Sequence, residues 1–134
     1  MQTDSLKVSA VIPASPEAVY AAWLSNKEHG AMTNTSAARI SARAGGKFTA
    51  GDGYMWGMTL ELDPPKRIVQ AWRTTEFPDE APDSRLEVVL EEAKGGTRIT
   101  IIQTEIPAGQ GSSYRQGWID YYFTPMKQYF AGKG

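Results

Sequence analysis

Groups able to carry acid–base chemistry are sparse in this chain. His29 is the single histidine, cysteine is absent, and the acidic residues form no spaced cluster. A histidine base needs an orienting partner and a nucleophile within hydrogen-bond reach, and the residue order offers no such set. One histidine is too few for a histidine metal centre, and without thiols there are no thiolate ligands, disulfides or cysteine nucleophiles. Glu61 and Glu105 are the carboxylates that would serve as acid or base if they turned inward from their strands. Gly45-Gly46 lacks the Lys-Ser/Thr ending and following helix of a phosphate loop. No catalytic residue, metal or cofactor is therefore expected. His29, next to Glu28 near a helix end, reads as an exposed residue favoured by the helix dipole.

Binding chemistry is better represented. Large apolar and aromatic side chains recur at regular spacing, with two amides among them. Phe48, Trp56, Met58, Leu60, Gln70, Trp72, Gln103, Trp118, Tyr122 and Met126 are the candidate lining of an apolar cavity. Core packing is the competing reading for each ring, since aromatics dominate core energetics. Gln70 and Gln103 alternate with apolar neighbours, so a period of two turns both toward one face. Buried amides must be paired, with each other, with water or with a ligand.

These residues need elements to hold them. Leu6 to Ile12 alternates and reads as a strand. Ser15-Pro16-Glu17 is a helix start, and Ser25 with Glu28 is a capping box for a short second helix ending near Gly30. Strands follow over Arg39 to Ala42, Lys47 to Ala50 and Tyr54 to Leu62. Along the last of these Trp56, Met58, Leu60 and Leu62 alternate. Pro64-Pro65 stops it, because proline fixes φ and lacks a donor. Ile68 to Thr74, Arg85 to Glu92 and Arg98 to Glu105 complete the strands, the last two joined by a hairpin at Lys94-Gly95-Gly96-Thr97.

A long helix is expected from about Tyr114 to Ala131, with Ser113 and Gln116 as its capping box. Its two apolar stripes, Trp118/Tyr122/Met126/Tyr129 and Ile119/Phe123/Phe130, imply burial over a wide arc. Pro125 should kink it. Gly117 reads as a point of close approach to the sheet. The order implies an α+β fold: a bent antiparallel sheet of about six to seven strands, two short helices, and a long C-terminal helix across the concave face. A gap between helix and curved sheet is a natural small-molecule site.

At 134 residues the chain is expected to be one domain, 1–134. Its 14 basic and 15 acidic residues form no stripe suited to nucleic acid. No apolar run suits membrane insertion, and no apolar stretch follows a basic start as in a signal peptide. A cytoplasmic location is the default.

Beyond these readings, particular residues resemble a family. Gly45-Gly46-Lys47-Phe48, Asp52-Gly53, Gly57, Pro64, Ile68-Val69, Trp72-Arg73, Ile106-Pro107, Arg115-Gln116-Gly117-Trp118 and Tyr121-Tyr122-Phe123 are similar to motifs of a START-like (SRPBCC) subfamily. Its type is the C-terminal domain of the activator of the heat-shock protein 90 ATPase, together with stand-alone bacterial relatives. The likeness runs from about Lys7 to Ala131, with Lys127-Gln128 and Phe130 extending it. It implies a helix-grip fold and a cavity taking a small apolar molecule, without catalysis. A chaperone partner is the alternative it implies, and cyclase relatives make an enzyme a third reading. Antiparallel edge strands would also admit a homodimer.

Overall fold

The computed structural model describes residues 2–133. The elements follow in the order β1 (Thr3–Ile12), α1 (Pro16–Leu24), α2 (Asn26–Met32), β2 (Arg39–Ile40), β3 (Lys47–Ala50), β4 (Met55–Asp63), β5 (Arg67–Thr74), β6 (Ser84–Ala93) and β7 (Gly96–Pro107). The last helical segment is α3 (Gly111–Gly117), a π-helical turn (Trp118–Phe123) and α4 (Thr124–Lys133). The strands form a curved antiparallel sheet of seven, in the order β1-β7-β6-β5-β4-β3-β2. Chain neighbours pair by hairpins from β2 to β7, and β1 closes on the last strand, β7.

Local chemistry explains the helix starts. Ser15 Oγ accepts the Ala18 amide at 3.1 Å, and Ser25 Oγ accepts the Glu28 amide at 3.1 Å. Each satisfies one of the free donors of a first turn. α2 continues past Gly30 to Met32. Gly30 does not end the helix. A Cβ there would lie 2.2 Å from the Ser36 carbonyl oxygen, so the glycine lets the following turn pack against the helix.

The long helix starts earlier than the Ser113/Gln116 pattern implies. Its N-cap is Gln110, and no side-chain cap bond forms there. Asp4 instead receives the amides of Gly109 and Gly111 on Oδ2, both at 2.9 Å. This carboxylate lies beside a bulge in β1 at Asp4/Leu6. Pro125 sits just after the π-turn, in which the Thr124 amide reaches back to the Ile119 carbonyl. Proline removes one i→i−4 bond and crowds the carbonyl four residues back, and the wider turn accommodates that within the helix.

The core fills the concave side of the sheet. Ile68, Leu86, Val88, Ile99 and Ile101 of the sheet meet Val19 and Trp23 of α1, and Trp118, Phe123 and Met126 of the long helix. β4 departs from the expected orientation. Gly57 pairs with Trp72 and Thr59 with Gln70, so these share the inner face. Trp56 and Met58 therefore point outward, opposite Arg73 and Ala71. A bulge between Thr59 and Glu61 then shifts the register, and Leu62 returns to the core side opposite Ile68. The even-numbered alternation is present in the sequence, but the bulge divides it between two faces.

Candidate functional site

A cleft of about 410 Å³ opens between the first half of the long helix, Trp72 of β5, and the turns around Thr33–Thr35 and Gly51–Tyr54. Met55, Tyr114, Trp118 and Tyr122 form its walls, with Ser113 and Tyr121 at the exposed rim. The volume falls in the range of small-molecule sites. No charged side chain is part of the lining.

Of the residues expected to line a cavity, Trp72, Trp118 and Tyr122 do so. Phe48, Gln70, Gln103 and Met126 are buried in the core but are not part of the cleft wall. Trp56, Met58 and Leu60 were expected inside and are instead 36%, 37% and 43% exposed, on the outer face of the sheet. Farther along the helix Phe123, Met126 and Phe130 are buried in the core, and the opening lies beside the helix's first half.

The two amides are structural. Gln70 Nε2 donates to Thr59 Oγ1 at 3.2 Å. Gln103 is completely buried and joins helix to sheet. It accepts from Trp118 Nε1 at 2.9 Å and donates to Ser84 Oγ at 2.9 Å, and Ser84 donates to the Trp72 carbonyl at 2.7 Å. This chain of bonds satisfies the Gln103 amide, the Ser84 hydroxyl and the Trp118 indole N–H between the two layers.

The carboxylates proposed as inward acid or base, Glu61 and Glu105, are both exposed. Arg73 binds the carbonyls of Pro78 and Ala81 and the carboxylate of Asp83, which ties down the loop after β5. Gly117 does not touch the sheet: a Cβ there would meet only Tyr121 Cδ2, at 3.8 Å. It borders the cleft and keeps that wall low.

His29 is the principal correction. It is 4% exposed, packed edge-on against Trp23 and Tyr122. Nδ1 lies 2.7 Å from the Trp23 carbonyl oxygen, which can only accept, so Nδ1 carries the proton. Nε2 then accepts from the Tyr122 hydroxyl at 2.7 Å. Nothing local betrays this, because Tyr122 lies far along the chain.

Burial lowers the His29 pKa, and the bond to the Trp23 carbonyl offsets part of that. Burial raises the Tyr122 phenol, so it stays protonated as a donor. The unfolded chain takes up a proton at about pH 6.5, and the folded chain only at lower pH. Stability contributed by neutral His29 is therefore complete above that pH and lost as pH falls below it. Chemical denaturation should show stability falling as pH drops through about 6.5, with a slope of at most one proton, about 1.4 kcal/mol per pH unit. His29→Gln should lack that slope, and equal slopes in the two proteins would refute the assignment.

Residues 13–131 match the family profile described as activator of Hsp90 ATPase homolog 1-like protein. The mouse activator of 90 kDa heat shock protein ATPase homolog 1 is 34% identical over 128 residues, covering 96% of this chain and 37% of that protein. The chain thus spans little more than a third of that curated relative. An HSP90 activator from Plasmodium falciparum superposes with a TM-score of 0.84 at 21% identity, covering 95% of this chain and 96% of the other. The Aha1 dimer from Colwellia psychrerythraea, solved in solution, gives 0.80 at 15% identity, covering 98% and 100%. Structural matches at such identity speak for the helix-grip fold alone. The family profile spans most of the chain and does more: this protein belongs to the activator of Hsp90 ATPase homolog 1-like family, with a START-like (SRPBCC) fold.

Proposed function

We propose that this protein binds a small, largely apolar molecule in the cleft beside the long helix, without transforming it. The observation that carries this reading is the wall of Trp72, Tyr114, Trp118 and Tyr122 around about 410 Å³ of space that contains no charged lining residue. Rings with one polar end suit partly polar aromatic ligands. The histidine nearest the cleft is engaged at both ring nitrogens, so it is not a free base.

A ligand that binds only the folded state raises the melting temperature by mass action. At a free concentration about a hundred times Kd the gain is about 2.7 kcal/mol. A thermal-shift series of lipids, flavonoids and polyketides should contain stabilising members. No shift from any of them, together with a crystal structure in which side chains close the cleft, would refute the reading.

A second reading is regulation of a chaperone ATPase. It is favoured by the 34% identity to the mouse activator across 96% of this chain. Stimulation of heat-shock protein 90 ATP hydrolysis by the full chain would support it, and an unchanged rate at saturating protein would oppose it.

A further inference from the structure

The hydrogen-bond directions around the cleft can be assigned almost completely, and they restrict what it admits. This argument rests on the cleft being the binding site. The Tyr122 proton goes to His29 Nε2, as the tautomer requires. Gln110 is oriented by its Nε2, which donates to the Glu76 carbonyl at 2.9 Å. Its Oε1 therefore accepts the Tyr114 hydroxyl at 2.7 Å. With that proton committed, the 2.7 Å contact between Thr74 Oγ1 and Tyr114 must be a donation from threonine. The Tyr54 hydroxyl donates to the Glu76 carboxylate. Trp118 Nε1 is held by Gln103, whose orientation is fixed by Ser84.

The phenol oxygens of the walls are thus left with lone pairs and no free protons. Trp72 contributes its ring to the lining, and no hydrogen bond from its indole N–H is formed among the described residues. No lysine or arginine lines the space. A carboxylate entering it would give up its water shell with no cation to receive it, and is disfavoured. A hydroxyl fits better. It needs no charged partner, a phenol oxygen can accept its proton, and the flat ring carrying it stacks among four aromatic side chains.

We infer that the cleft selects uncharged, hydroxyl-bearing aromatic molecules and rejects carboxylates built on the same ring. The test uses the full chain, near neutral pH, with three probes of one shape: 2-naphthol, 2-methoxynaphthalene and 2-naphthoate. Calorimetric titration should give 2-naphthol at least about tenfold tighter than its methyl ether, which corresponds to about 1.4 kcal/mol. The naphthoate should bind at least about a hundredfold more weakly than the naphthol. Naphthoate within tenfold of naphthol, or an ether equal to the naphthol, overturns the inference. Equal binding of all three leaves cleft binding standing and removes only the selectivity. Failure of all three to bind, and of the lipid, flavonoid and polyketide series as well, removes the binding reading along with it.

Discussion

Trp118→Ala is expected to lower folding stability by about 4 kcal/mol, close to the whole margin of a small domain. Two effects add. The indole is 3% exposed and packs against Trp23, Trp72 and Tyr122, with ring centroids 6.2, 5.5 and 4.8 Å away. Truncating a buried tryptophan removes that contact area and leaves a cavity, at about 3–5 kcal/mol. It also orphans Gln103 Oε1, which is completely buried and has the indole as its partner. A stranded acceptor costs about 1–3 kcal/mol where water cannot reach it. In this variant the new cavity adjoins the cleft, so water can relieve part of that second cost. Urea denaturation measures the sum. Trp118→Phe separates the two terms, since it keeps most of the ring and still strands the acceptor. A loss below about 1 kcal/mol for the alanine variant would mean that the helix is not anchored through this residue.

Gly117→Leu should abolish ligand binding, with at least a hundredfold loss of affinity, while leaving the fold intact or firmer. Gly117 has helical dihedrals, φ −60° and ψ −40°. Replacing glycine in a helix interior gains about 0.8 kcal/mol from propensity alone. A Cβ meets nothing closer than 3.8 Å, so the side chain grows into the cleft rather than into the core. The leucine then occupies space that a ligand needs. The expected result is a melting temperature equal to or above that of the parent, with no ligand-induced shift. Undiminished binding by a well-folded variant would place the ligand elsewhere.

Much of the fold is legible in the sequence because its signals are local. Ser15-Pro16 and Ser25/Glu28 start helices as caps do anywhere. The hairpin at Gly95-Gly96 uses two positive φ angles, 93° and 141°, that glycine alone accepts freely. The family motifs add the overall arrangement.

The site is less legible because it depends on non-local events. One bulged residue in β4 turns Trp56, Met58 and Leu60 outward, and Met55 and Thr59 take the inner face. Sequence alternation cannot report a bulge before the pairing register is known. His29 resembles an ordinary last-turn cation until Tyr122 is brought to it by the long helix. Asp4 caps a helix start more than a hundred residues away, which no local window contains. Gly117 could equally have marked close packing or open space, and only the position of its neighbours decides.

The most direct test of cleft binding is a nuclear magnetic resonance titration of the labelled protein with 2-naphthol. Shifts should concentrate on the Met55 methyl, the Trp72 and Trp118 indole N–H groups, and the Tyr114 and Tyr122 rings. A response centred on Trp56 and Met58, on the opposite face of the sheet, would contradict it.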